Sequence, residues 1–352
     1  MTKPSPILRY DTTFVKRVAE FNLPCTAHHW QLQDCVVCPD NRSTIYALND
    51  YYVHKFNQNH CQLPPHSISN PSICTIPLPP SLSGSTANSF GYSVTSSETG
   101  EISLYNSALR EARTYHIGKD INNHIAFSRN PQYLDATAIR SIEPHLLACN
   151  NDGHIRVLSL PDLRILQKLP FHQSVNHAAV SPDGTRMVAV TDDQAVPLFD
   201  ARGTTYTPAL NFNTRHGAAY SCHWDAFSTT FAVATNSGYV DVFDVRNPQH
   251  KLASVRALQP AQQGGGSCRV VKFAPSYTVD LMAFSEHTNY VTVVDTRNYT
   301  DVQRLRVGNN QIITGLAFTP DGGNLFVGTG DRIIKFAVNQ TDRRSFGSYE
   351  LA

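Results

Sequence analysis

The sequence predicts an all-β chain, a single seven-bladed β-propeller, and three observations lead there. A pattern of strand, turn and strand recurs seven times in 352 residues. Each copy places a polar pair before its third strand, where a tight hairpin needs residues that tolerate positive φ. No stretch of comparable length carries the 3.6-residue periodicity of an amphipathic helix.

The clearest copy is AVATNSGYVDVFDVRN, residues 232–247. Aligning on the end of its third strand picks out Phe56, Tyr105, Leu158, Phe199, Phe243, Val294 and Phe336. Their separations run from 41 to 53 residues, at or above the blade period of about 40–45 residues. The polar pairs are Asn49-Asp50, Thr99-Gly100, Asp152-Gly153, Asp192-Asp193, Ser237-Gly238, His287-Thr288 and Gly330-Asp331. After the first strand come proline turns: Ser181-Pro182-Asp183-Gly184, Ala274-Pro275-Ser276 and Thr319-Pro320-Asp321-Gly322. Proline there fixes φ for the reversal and stops the strand.

A four-stranded sheet is too small to bury both faces alone, so the copies should stack radially and cover one another. Residues 1–24 form an N-terminal segment and residues 25–352 the propeller. Ring closure needs one extra edge strand, from residues 7–18 or from residues 345–351. Long loops are expected at 62–88, which holds six prolines, at 128–144, and at the Gln/Gly-rich 256–267. The first and last lie on the expected top face and read as flexible spacers.

The S-P-D-G turns and the aromatic-Asp ends of third strands resemble the WD-repeat family over residues 25–345. The chain departs from it in placing Phe or Val where the family has Trp. Most copies also lack the Gly-His dipeptide, for which His172 and His216 are the nearest equivalents. The buried hydrogen-bond network that the resemblance implies is therefore degenerate, and apolar packing should supply blade rigidity. Within the family, Asp280-Leu281-Met282-Ala283-Phe284-Ser285-Glu286-His287 followed by Val293-Val294-Asp295-Thr296-Arg297 resembles a short D-L-L-type domain. That domain belongs to fungal and plant WD-repeat proteins of poorly defined function, and Met282 departs from its signature. The likeness extends to a yeast substrate receptor of the ubiquitin ligase that degrades gluconeogenic enzymes.

Three third strands end in Asp-x-Arg: Asp200 with Arg202, Asp244 with Arg246, and Asp295 with Arg297. Aspartate here can accept backbone N–H groups of the next turn and arginine can pair with it, a structural role. The alternative is docking, because 231–246 resembles the box by which WD proteins attach to the adaptor of cullin-4 ubiquitin ligases. That resemblance makes Arg246 a contact residue, with Phe243 in place of Trp.

Charged residues make up 16% of the chain and the net charge is +1, too little to recruit nucleic acid or an anionic membrane by long-range attraction. The opening residues lack the apolar core of a signal peptide, so the cytosol or nucleus is expected. Cys25, Cys35, Cys38, Cys61, Cys74, Cys149, Cys222 and Cys268 then read as free thiols. A zinc site from Cys35 and Cys38 with Cys25, His28, His29, His60 and Cys61 is disfavoured, since strand residues three apart face opposite ways. No phosphate-cradling loop, nucleophile elbow or zincin motif occurs. The expectation is a non-enzymatic scaffold without cofactor or metal that binds other proteins, such as ubiquitin-ligase subunits and their substrates. The alternatives are an enzyme working at the central funnel and a chromatin or nucleic-acid reader.

Overall fold

The computed structural model describes residues 13–26, 34–38, 44–49, 52–57, 66–67, 73–74, 92–96, 99–106, 111–128, 144–248, 250–261 and 265–340. Seven four-stranded antiparallel sheets make up a propeller. The N-terminal strand β1 (Val15–Phe21) belongs to the last of them. Blade one holds β2 (Val36–Val37), β3 (Thr44–Asn49), β4 (Tyr52–Asn57) and β5 (His66–Ser67). Blade two holds β6 (Ile73–Cys74), β7 (Tyr92–Ser96), β8 (Glu101–Asn106) and β9 (Glu111–His116). Blade three holds β10 (Asn122–Phe127), β11 (His145–Asn150), β12 (His154–Ser159) and β13 (Ile165–Pro170). Blade four holds β14 (Val175–Val180), β15 (Arg186–Thr191), β16 (Ala195–Arg202) and β17 (Thr205–Asn213). Blade five holds β18 (Ala219–Trp224), β19 (Thr230–Thr235), β20 (Tyr239–Asp244) and β21 (Lys251–Arg256). Blade six holds β22 (Cys268–Phe273), β23 (Leu281–Glu286), β24 (Tyr290–Asp295) and β25 (Val302–Arg306). Blade seven joins β26 (Ile313–Phe318), β27 (Asn324–Thr329) and β28 (Ile333–Val338) to β1.

The third-strand residues chosen from the sequence all lie on third strands. Leu158, Phe199, Phe243, Val294 and Phe336 stand opposite Leu146, Met187, Phe231, Met282 and Leu325. All are buried, and each such side chain contributes ~1.5–3 kcal/mol of transfer free energy. Apolar clusters bridge neighbouring blades: Val188, Val190 and Leu198 of blade four pack with Cys222, Trp224 and Phe231 of blade five. Val270 and Leu281 of blade six meet Leu316 and Leu325 of blade seven in the same way.

The first strands also carry polar stitches. Each of β10, β14, β18, β22 and β26 shifts register one residue after its start, a bulge that re-aims the extra side chain. Asn123 and Asn176 occupy that bulged place in blades three and four. They donate to the opening carbonyls of the next blade, Val175 O at 3.0 Å and Ala219 O at 2.9 Å. Trp224 Nε1 donates to Ala179 O at 2.9 Å.

The N-terminal segment closes the ring, and residues 345–351 lie outside the described residues. β1 pairs antiparallel with β28 from Val15↔Val338 to Phe21↔Ile333. Gln303 of blade six fixes its start, its Oε1 accepting from Phe14 N (2.7 Å) and Val15 N (2.9 Å) while its Nε2 donates to Val15 O.

Two loop expectations need correction. Segment 62–88 is not a single connection: it contains β5 and β6, one from each of two blades. Strands of two residues leave no periodicity to detect in a Pro/Ser-rich background. Segment 256–267 is anchored, because Leu258 N and Gln259 N donate to Glu286 Oε1 and Oε2 at 2.7 and 3.1 Å. Residues 262–264 within it, and 129–143 of the third loop, lie outside the described residues.

Candidate functional site

Two places gather chemistry-bearing side chains: one end of the propeller, where first-to-second strand turns meet third-to-fourth strand turns, and the axis. At that end, Asp225 holds its own turn by accepting from Thr229 N and Thr230 N at 2.9 and 3.1 Å. The turns of successive blades touch one another. Asp183 N of blade four donates to Ser228 Oγ of blade five at 3.0 Å, and Gly322 of blade seven packs against Ser276 and Val279 of blade six. Between these contacts, Phe227 and Tyr277 meet with ring centroids 5.1 Å apart. They are 60% and 57% exposed, an aromatic pair across the boundary of blades five and six.

The Asp-x-Arg sequences lie at the same end, in two different geometries. Arg246 folds back on Asp244, with Nε to Oδ1 at 2.9 Å and Nη2 to Oδ2 at 2.6 Å, and Arg246 N donates to Oδ1 at 2.9 Å. Arg297 makes the same fork on the buried Asp295, at 3.0 and 2.6 Å, with the same backbone bond at 2.9 Å. Asp200 and Arg202 form no such pair. Strand β16 continues through both into a long hairpin, setting Asp200 opposite Thr207 and Arg202 opposite Thr205. Strand continuation keeps residues two apart on one face but holds them extended, roughly 6.6 Å apart along the strand, whereas a turn lets them fold together. Both guanidinium groups remain accessible, with side chains 71% and 53% exposed, and their Nη1 donors are not used in the forks.

On the axis, first strands from five blades converge. Lys272 Nζ of blade six lies 2.5 Å from Asp34 Oδ2, just ahead of β2 in blade one. His177 Nε2 of blade four is 3.9 Å from the same oxygen. The His124 ring of blade three stacks on His177 with centroids 3.5 Å apart and planes 19° from parallel. Cys222 Sγ of blade five sits 3.4 Å from His177 Nδ1, and His223 Nδ1 accepts Phe273 N–H at 3.1 Å. Burial acts to raise the Asp34 carboxyl, but the Lys272 ammonium and His177 outweigh it and hold the group well below the ordinary range. Burial lowers all three imidazoles, with Lys272 adding to the effect, and His223 falls to about 3. The rings are thus neutral near pH 7.

The family described as WD domain, G-beta repeat matches residues 163–200 and 300–336, and the Uncharacterised protein domain (DUF2415) matches 266–313. A chain of the mitotic checkpoint complex crystal structure superposes with a TM-score of 0.69. The superposition covers 96% of this chain and 97% of that one, at 13% identity. The chain carries WD repeats on a propeller fold. Each WD match opens on the outermost strand of one blade and ends on the third strand of the next, β13 to β16 and β25 to β28. The DUF2415 match covers blade six and includes the D-L-L-like segment at Asp280. An uncharacterized protein of Schizosaccharomyces pombe is 25% identical over 344 residues, 92% of both chains. An uncharacterized protein of Saccharomyces cerevisiae is 27% identical over 244 residues. That alignment takes 58% of this WD-repeat chain and about a third, 31%, of the yeast protein.

Cys25, Cys35 and Cys38 are buried in apolar packing between blades seven and one, and burial pushes the Cys25 thiol up to about 12. His28, His29, His60 and Cys61 lie outside the described residues. His172 is exposed, but His216 enters a buried network in blade five: His216 Nδ1 and Lys251 Nζ both reach Asp241 Oδ2. Blade rigidity there is not apolar packing alone.

The axial cluster was missed because each member reads singly as a polar residue in an apolar strand. One signal could have revealed it. Asn123-His124 and Asn176-His177 repeat the same dipeptide at the same place in successive first strands.

Proposed function

We propose that this WD-repeat propeller is a non-catalytic scaffold of the cytosol or nucleus. In this reading it is a substrate-recruiting or adaptor subunit of a larger assembly such as a ubiquitin ligase, docking through the turn-bearing end of blades five and six. The supporting observation is the exposed Phe227–Tyr277 pair on the same end as the accessible, pre-oriented Arg246 and Arg297. Interface hot spots are enriched in aromatic and arginine side chains, and immobilised ones lose less entropy on binding. The Asp244 and Asp295 forks hold the guanidinium groups in place before any partner arrives. The partner surface that fits presents an apolar side chain to the aromatic pair and carboxylates to the unused Nη1 donors.

Affinity purification of the full chain followed by mass spectrometry tests this. Recovery of ligase subunits with the wild type, their loss with Phe227→Ala/Tyr277→Ala, and an unchanged melting curve are the expected results. A variant that keeps all partners would refute docking at this end.

A further inference from the structure

We propose that the axis of the propeller holds a binding site for one divalent transition-metal ion, with Asp34, His124 and His177 as ligands. Each residue offers one ligand atom, and these atoms lie within 4.8 Å of one another. Two donors on one tetrahedral metal, at about 2.0–2.2 Å each, stand about 3.4 Å apart; because an imidazole lone pair lies in its ring plane, the stacked His124 and His177 rings must tilt out of parallel for both to reach one ion. Two imidazoles and a carboxylate suit zinc, cobalt or iron(II) and disfavour calcium or magnesium, which prefer all-oxygen sites.

Independent support comes from hydrogen bonding. His124 Nδ1 and His177 Nε2 are buried and have no hydrogen-bond partner, although buried polar atoms rarely go without one. Their residues are 9% and 5% exposed. The neighbours are arranged to keep lone pairs available. Cys222 lies beside His177 Nδ1, and when that nitrogen carries the proton, Nε2 is left as a donor to metal, the usual way an outer partner fixes a ligating tautomer. His223, whose Nδ1 accepts from Phe273, carries its proton on Nε2. Lys272 is the competitor: its ammonium occupies Asp34 Oδ2 in this structure and must swing aside for the ion to bind.

The three ligands come from blades one, three and four, so an ion would tie together strands that otherwise meet only around the ring. Binding should raise the unfolding temperature as well as fill a site.

Titrating the chelator-treated full chain with Co²⁺, followed by its visible ligand-field bands and by equilibrium dialysis, tests the proposal. The expected result is one equivalent bound, with affinity falling at least about tenfold in His124→Gln and His177→Gln. In Lys272→Met affinity should rise at least about tenfold as the repelling charge goes. Circular dichroism checks that each variant is folded. If the histidine variants fail to fold, the direction of the Lys272→Met change decides. No stoichiometric binding by the wild type overturns the proposal, including the case in which only Lys272→Met binds, because Lys272 then keeps the ion out. Binding that survives in folded His124→Gln and His177→Gln places the ion elsewhere and overturns it too.

Discussion

His216 and Asp241 meet ring nitrogen to carboxylate oxygen at 3.0 Å, where the aspartate has no exposed surface at all. Lys251 Nζ reaches the same oxygen at 2.7 Å, and Ser254 Oγ donates to the other at 2.6 Å. A carboxylate so enclosed depends on its partners, since an ion left buried and uncompensated is far costlier than the pair.

Removing both sides of that pair should therefore cost less than the two single removals added together. Lys251→Met and Asp241→Leu are each expected to lose about 3–5 kcal/mol. The double variant Asp241→Leu/Lys251→Met should lose distinctly less than the sum. Urea unfolding of the set measures the coupling, and strictly additive losses would contradict the network.

The Asp-x-Arg sequences separate into a pair and an outlier, and their variants should do the same. Arg246→Glu is expected to weaken partner capture about tenfold or more with little change in melting temperature, whereas Arg297→Glu should weaken capture similarly and also lower the melting temperature, because it strips the buried Asp295 of its guanidinium partner. Arg202→Glu, which disturbs no fork, should leave capture unchanged. Pull-down and thermal melting on the three proteins provide the check. Equal melting losses with intact capture would make the motifs structural only.

Asp152 carries a pH signature. Burial pushes its carboxyl up, but the Arg156 fork and then His154 outweigh that and hold it below the ordinary value. A depressed acid contributes stability above its unfolded pKa of about 3.9, lost as pH falls through the native value. The stability gap between wild type and Asp152→Asn should be full at about pH 6 and shrink below about pH 4. A gap that widens in acid would reverse the assignment.

Gly315 tests the seam between blades seven and one. A Cβ there would stand 2.6 Å from Val36 N and 3.0 Å from Cys35 N, on backbone that Cys35 N ties to Thr314 O at 2.9 Å. Neither neighbour is a side chain that can move away. Gly315→Ala should cost about 1–3 kcal/mol by overpacking, read as a lower denaturant midpoint, whereas Gly203→Ala gives the strain of positive φ without a clash.

Much of the architecture was legible because its signals are local. Phe199, Phe243 and Phe336 could be aligned since a third strand is preceded within a few residues by its turn, and Ser237-Gly238 can adopt only a few conformations. Alternation failed for β5 and β6, which are too short to show it. It also failed to separate Asp200-x-Arg202 from its two lookalikes, because whether a strand stops after the aspartate is decided by the hairpin beyond it. The axial residues were invisible for a different reason. Asp34 and Lys272 are neighbours only after the ring closes, and nothing near either one in the chain encodes the other.

The pairing of Val15 with Val338 also sets an order of events in the cell. Ribosomes add ~5–20 residues per second, so the N-terminal strand emerges on the order of 15–60 s before its partner exists. Throughout that interval its backbone donors and acceptors form an open edge, the kind of surface that pairs with other chains. Blade seven waits as well, because β26 to β28 are translated after the strands of every other blade. Nascent chains of this protein should therefore engage holding chaperones through β1, and release should coincide with translation of β28 rather than with completion of any earlier blade.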